Sequence, residues 1–516
     1  MAQIGYLLFR DGPIAGLTFF ASVTPLSGGH SLLPIMLTVN GLPKRTCAGP
    51  SRRDLLQIGG AGLFGLSLPK VFAAESLATG DEPFAGGKAK SVIFLFLFGG
   101  PSQLETFDLK PGAPSEIRGP FGSIPSKTPD LLISEHLGRL AKISDKFAVV
   151  RSMTHDYNDH SGAGHYLQTG KRWHVPVGGG FSSTPKDWPS MGSVVEYLTQ
   201  QSKGGMAREL PAYAALPNWL GRLQDRGQYR RPGQYGGWLG NGYNPLTTSI
   251  EKRDSTDNPY WRDCTDEELT FKIDGLSPGM PVKRIQQRAT LRDQLEAVQR
   301  RVEAGDAADS MDRHRQRALA LVASDRAGKA LDIGEESDKL RDQYGRHLFG
   351  QSCLMARRLV EAGTRFVTVH YDCADGYGWD SHQSSFDVRD HLLPTFDQGC
   401  SALLTDLDER GLLDETLVVA IGEMGRTPKA NAKWGRGHWS TCFPALLAGG
   451  GIRGGIVYGK SDRLGAYPDE NPVSPEDLAK TIYWSLGINP DLFLPDRQGR
   501  PVPIVESGKV VSALFG

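Results

Sequence analysis

What the chain lacks narrows it first. Lysine plus arginine and aspartate plus glutamate both number 58, so no net charge draws the protein toward nucleic acid or an acidic membrane surface. Cysteine is scarce: six in 516 residues, Cys47, Cys264, Cys353, Cys373, Cys400 and Cys442, irregularly spaced and with no C-x-x-C pair. That excludes a disulfide framework and a zinc knuckle and leaves room for one bridge in an oxidising compartment. No apolar run makes a stable membrane span, because the pieces around residues 17–23 and 32–39 are broken by proline and glycine. The triple glycines at 178–180 and 449–451 lack the spacing of a phosphate-binding P-loop. Internal repeats and low-complexity tracts are absent as well.

What is present is a long chain rich in loops. The length suits one large domain or two to three ordinary ones, and 63 glycines with 33 prolines suit functional loops on a rigid scaffold. Near the start, "SRRDLLQIGGAGLFGLSLPKVFAA" sets Arg52 and Arg53 before a short, glycine-diluted apolar stretch with small residues near Ala73. The pattern resembles a twin-arginine export signal over residues 36–74, which implies a periplasmic or secreted protein. Residues 1–35 are then a doubtful upstream extension, with translation expected to start at Met36. N-terminal sequencing that finds a precursor beginning at Met1 would overturn that expectation.

Beyond residue 88 the pattern alternates. "KSVIFLFLFGG" (90–100) is a continuous apolar run closed by two glycines, as a strand buried on both faces requires. Similar runs lie at 146–152, 209–217, 365–372, 415–423 and 443–451. Amphipathic helical patterns at 348–363 and 392–413 lie between them. This predicts an α/β fold with a mostly parallel sheet, ligands binding beyond the carboxyl ends of its strands. Residues of about 218–340 break the pattern and are expected to form an inserted cap, ending in a charged helical arm from Ile285 to Ala323.

The strand ends collect the chemistry. After 90–100 come Ser102, Glu105 and Asp108; after 146–152 come His155, Asp156, Asp159, His160 and His165. The loop "DGYGWDSHQ" brings Asp375, Asp380 and His382, "GEMGRTP" brings Glu423, Arg426 and Thr427, and "WGRGHW" brings Arg436 and His438. Six of the twelve histidines thus fall at one expected edge, counting 155, 160, 165, 382, 438 and, less securely, 370. Carboxylates and imidazoles drawn from several loops suit a divalent metal. His347 and His391 read as ordinary surface or hydrogen-bonding residues. Arg426 reads as a clamp for an anionic substrate or as a partner for a ligand carboxylate.

Taken in order, "FGGPSQLETFDLKPG", "RSMTHDYNDHSGAGHYLQTG", "GWDSHQ", "GEMGRTP", "GRGHW" and "LLAGGGIRGG" resemble the family called domain of unknown function 1501. That family is common in planctomycetes and belongs to the alkaline phosphatase and sulfatase superfamily. The resemblance implies an α/β/α sandwich with an inserted cap or arm, and one or two metal ions, commonly zinc, calcium or manganese. Under it Asp380, His382 and His438 look like metal ligands, and Glu423 falls where the superfamily has the Asp of an Asp-His pair. His160 occupies the nucleophile position. The chain also departs from the superfamily: it has no C-x-P-S-R signature and neither Ser nor Thr at 160. Gly99 and Gly100 stand in place of the early metal-binding Asp, Met424 in place of a His, and Gly437 precedes the late His. A one-metal site is therefore expected.

Two functions follow. In the first, the protein is an exported hydrolase of phosphate or sulfate esters, those of polysaccharides among them, with a metal on Asp380, His382, Glu423 and His438. There Glu423 serves as ligand or base, His160 as acid/base or nucleophile, and Arg426 neutralises the ester. In the second, the scaffold has lost catalysis and binds an anionic glycan or a partner protein, with Trp173, Trp188, Trp219, Trp238, Tyr235 and Tyr243 available to stack on sugar rings.

Overall fold

The computed structural model describes residues 86–516 apart from 177, 203–207, 225–227, 274–323 and 373–377. The export signal, the upstream extension, the helical arm and Asp375 lie outside the described residues.

Nine strands form the main sheet: β1 (Ser91–Leu97), β2 (Phe147–Met153), β3 (Tyr213–Leu216), β4 (Leu246–Ser249), β5 (Lys272–Ile273), β6 (Phe366–Tyr371), β7 (Thr416–Ile421), β8 (Phe443–Ala448) and β9 (Ile456–Tyr458). Their order is β9-β2-β8-β7-β1-β6-β3-β4-β5. All run one way except β8 and the edge strand β5, which are antiparallel to their neighbours. The fold is thus α/β with a mostly parallel central sheet. Strands β4 and β5 come from the segment expected to be an insertion, and they extend the sheet rather than capping it.

The continuous apolar runs become central strands because both of their faces are covered. Along β1, Ile93, Leu95 and Leu97 enter one core and Val92, Phe94 and Phe96 the other. The first core is closed by α3 (Leu348–Glu361) and α4 (Leu393–Glu409), which contribute Leu354, Leu359, Leu403 and Leu407. The second is closed by α1 (His160–Thr169), α2 (Met191–Gln201) and α5 (Pro475–Ser485), with Leu167, Val195 and Ile482. Each large side chain so buried contributes about 1.5–3 kcal/mol relative to exposure. The helix starts are specified locally: Ser190 caps α2, His347 caps α3 through Gly350, and Ser474 with Asp477 closes a capping box on α5.

Register places the exits of the central strands side by side. Leu97 lies opposite Tyr371, and Phe96 opposite Ile421, so β1, β6 and β7 end together. The antiparallel β8 begins at that same edge, with Phe443 opposite Met153 at the end of β2.

Candidate metal centre

Loops from β1, β2, β6 and β7 and the segment entering β8 meet at this edge. Gly99 and Gly100 turn the chain with φ of 112° and 80°, a region open to glycine. A Cβ on Gly99 would lie 2.5 Å from the Asp380 backbone nitrogen, and one on Gly100 would lie 2.6 Å from the Met424 carbonyl oxygen. The glycine pair therefore lets the β6 and β7 loops dock on bare main chain.

Asp380 is the hub. Its Oδ1 is 2.6 Å from Arg426 Nη2, 3.0 Å from His382 Nε2 and 3.3 Å from His438 Nε2; Oδ2 is 3.2 Å from His160 Nε2. His160 arrives as the first residue of α1, just after the cap Asp159, whose side chain accepts from Gly162. His438 arrives on a two-stranded ribbon, Gly425–Arg426 against His438–Trp439, in which Arg426 and His438 are direct partners. The His438 ring centroid stands 4.4 Å from that of His160 and 4.6 Å from that of His382.

The backs of two rings are committed to acceptors. His438 Nδ1 is 2.7 Å from the Asn158 carbonyl oxygen, which can only accept, so the ring proton sits on Nδ1. His160 Nδ1 is 2.5 Å from Glu423 Oε1, and the Glu423 carboxylate is fully buried and held by the Gly99 N–H at 2.9 and 3.1 Å. Both arrangements turn Nε2 toward Asp380, as outer hydrogen bonds do for metal-ligating histidines, and His438 Nε2 also lies 2.9 Å from His382 Nε2.

This donor set fits a divalent cation. Ligand atoms of His160, Asp380 and His438 lie within 4.8 Å of one another. His160 Nε2 is buried and has no hydrogen-bond partner of good geometry, although Asp380 is close. Burial opposes a charge on the His160 ring, but the Asp380 and Glu423 carboxylates outweigh it and raise its pKa to about 9. Burial likewise opposes a charge on Asp380, yet His160, His438 and Arg426 hold it well below the usual carboxylate range. Burial pushes His382 down, with Asp380 opposing.

The other candidates sit elsewhere. Glu423 stands behind His160 rather than among the converging donors. Arg426, expected either to clamp an anionic substrate or to pair with a ligand carboxylate, takes the second role and is fully buried: its Nε donates to the Gly100 carbonyl at 2.9 Å, Nη1 to the Arg436 carbonyl at 3.3 Å, and Nη2 to the Gly99 carbonyl and Asp380. It positions Asp380. His155 and His165 were counted with the cluster, but His155 reaches the Glu423 carbonyl at 2.7 Å and His165 the Lys171 carbonyl at 3.1 Å. His370 is a core residue at 3.2 Å from the Asn218 carbonyl. Glu105 pairs with buried Arg436 at 2.8 Å, and Asp108 bonds Ser461 and Lys110. Asp156 meets Arg172 on the surface, and His391 stacks on Trp261. Thr427 Oγ1 accepts from the Gly437 N–H. Of the aromatic residues held ready for sugars, Trp173 and Tyr243 are buried, and Trp188 packs edge-on against Trp238.

An α/β/α sandwich with a carboxylate and three imidazoles gathered at its strand ends is the class these residues define. The chain belongs to the family described as Protein of unknown function (DUF1501), whose model matches residues 89–515. No curated protein matches it. Among solved structures it is similar to a variant of the alkaline phosphatase PafA, with TM-score 0.40 and 10% identity over 84% of this chain and 100% of that one. It is also similar to the sulfatase PsFucS1 from Pseudoalteromonas sp., with TM-score 0.34 and 13% identity over 81% and 72%. The phosphonate monoester hydrolase SpPMH from Silicibacter pomeroyi gives TM-score 0.33 and 11% identity over 83% and 76%.

Proposed function

We propose that the protein is an exported, metal-dependent hydrolase of phosphate or sulfate esters, with a single divalent ion on His160, Asp380 and His438. The observation that carries this reading is the convergence of Nε2 atoms on one carboxylate while the Nδ1 atoms of His160 and His438 are tied to oxygen acceptors. Imidazole-rich donors favour zinc over calcium, and the carboxylate also admits manganese. Such an ion, when bound, polarises an ester oxygen and acidifies water.

The chain's own residues supply the rest. Glu423 fixes the His160 tautomer, and Arg426 fixes the Asp380 rotamer from below. His382 is the most exposed of the three rings at 43%, and its depressed pKa keeps it neutral near pH 7, able to take a proton from a nucleophilic water at the rim. His160, held by Glu423 behind and facing Asp380 in front, serves this arrangement as a ligand rather than a nucleophile.

Metal content by mass spectrometry tests the reading on protein exported through its own leader. The expected result is about one equivalent of zinc or manganese in wild type and His382→Ala, none in His438→Ala, and ester hydrolysis only in wild type. Wild-type protein without bound metal would overturn the hydrolase reading and favour a scaffold that binds an anionic glycan or a partner protein. Recovery of uncleaved protein in the cytoplasm would overturn export.

A further inference from the structure

With Arg426 buried, the site needs another group to meet an anionic substrate, and one stands beside it. Arg231 lies with its guanidinium carbon 5.3 Å from the Phe98 ring, and the His160 imidazole lies 5.4 Å from the same ring. Arg231 Nη1 is 3.4 Å from the hydroxyl of Ser161, the residue that follows His160. Nη2 donates to Gln224 Oε1 at 3.1 Å. Gln224 donates to Asp372 at 3.3 Å, and Asp372, at the exit of β6, accepts the Gly221 N–H at 2.6 Å. The guanidinium is therefore aimed by the same strand whose loop delivers Asp380, while its Nε has no hydrogen-bond partner among the described residues.

Two of the few exposed large hydrophobic residues complete the arrangement. Phe181 is 55% exposed and Tyr229 41% exposed; their rings lie 5.7 Å apart at 30°, and both face Arg231, at 6.0 and 5.8 Å. The two loops are pinned together by the Ser183 N–H donating to the Arg230 carbonyl at 2.7 Å. Arg230 itself lies over Trp219, 5.5 Å from the ring. Among the described residues neither arginine has a carboxylate partner, and both stand beside aromatic faces. Exposed rings offer flat apolar contact to a sugar, and a guanidinium matches the oxygens of a sulfate or phosphate in a fork.

We propose that Phe181, Tyr229 and Arg231 form the recognition subsite for an anionic saccharide at the mouth of the metal centre. This deepens the hydrolase reading and rests on it for the place of the reacting ester. The ring of the sugar lies on Tyr229 and Phe181, and its charged substituent pairs with the Arg231 guanidinium.

Binding tests it without reference to turnover. Calorimetry on the full chain compares a sulfated dextran oligosaccharide, the unsulfated oligosaccharide of equal length, and inorganic sulfate, with metal content measured on each variant. The expected result is that wild type binds the sulfated oligosaccharide at least tenfold more tightly than either other probe. Arg231→Gln is expected to lose about tenfold on the sulfated probe alone, and Tyr229→Ala several-fold on both oligosaccharides, both variants keeping wild-type metal content. The proposal is overturned if wild type binds none of the probes, if it binds inorganic sulfate as well as the sulfated sugar, or if either variant binds like wild type. Metal-free wild-type protein that still shows the expected pattern would sink the hydrolase reading and leave this subsite standing.

Discussion

Acid should unfold this protein steeply, and the reason lies in four histidines outside the metal centre. Burial drives the pKa of His165 and His347 down to about 3 and that of His155 and His370 down to about 4. The bonding pattern agrees: Nε2 of His165, His347 and His370 has no partner among the described residues, and His155 Nδ1 accepts from the Tyr157 N–H at 3.1 Å, so a second ring proton finds no acceptor there. Folding thus holds four imidazoles neutral that the unfolded chain protonates near pH 6.5. Their contribution is fully present above 6.5 and is lost as pH falls toward 3–4. Each costs about 1.4 kcal/mol per pH unit in that window, or about 2 kcal/mol between pH 7 and 5. Four together remove roughly 8 kcal/mol, comparable with the whole stability of a typical domain of about 5–15 kcal/mol. His160, with its raised pKa, is protonated in both states only well below 6.5 and offsets a small part of this loss as pH falls from 7 to 5. Urea titrations followed by tryptophan fluorescence, run in chelator at pH 7, 6, 5.5 and 5, should show stability falling with an average slope of about three protons per pH unit. Equal stability at pH 7 and pH 5 would refute the reasoning.

Other outcomes follow from single contacts. Glu423→Gln keeps the shape behind His160 but removes its carboxylate, and metal affinity should fall about 10–100-fold by competitive chelator titration; unchanged affinity would separate His160 from the ion. Gly99→Ala forces a side chain into a φ of 112° and against the Asp380 backbone, so metal retention and melting temperature should both drop. Retention of both would show that the two loops do not bear on each other. Glu105→Ala strands the buried Arg436 guanidinium and should cost about 3–5 kcal/mol in chemical denaturation, whereas a loss under 1 kcal/mol would mean that the carbonyls around Arg436 suffice.

The six long strands were legible because each is an unbroken apolar run, the signature of burial on both faces. Strands β4, β5 and β9 were not, being short and half-exposed, with no run or alternation to betray them. Sheet order is set by long-range pairing and has no local trace. At the site, Asp380, His382, Glu423 and His438 were singled out because they follow or precede buried strands, and the fold brings them to one edge, with Glu423 behind His160. Sequence position does not tell which way a helical residue turns, and so His165, five residues along α1 from His160, points into the core instead. Of the two readings of Arg426 the structure takes the carboxylate partner over the substrate clamp, because the nearby glycine pair exposes two carbonyls that absorb the charge beside Asp380. Phe181, Tyr229 and Arg231 lie in a glycine- and proline-rich stretch without periodicity, where only the folded chain brings them together.

The short ribbon has a mechanical consequence. Because Arg426 pairs with His438 across it, the residue that grips Asp380 and the imidazole facing the same carboxylate ride on one rigid piece of main chain. The far side is stitched down as well, by the Arg436 N–H to the Ser381 carbonyl and the Asn431 amide to the His382 carbonyl. Push the exposed tip at residues 431–433 and the displacement reaches ligand and rim together. That tip is a lever, and a fluorophore attached at Ala432 would report on the centre from outside it.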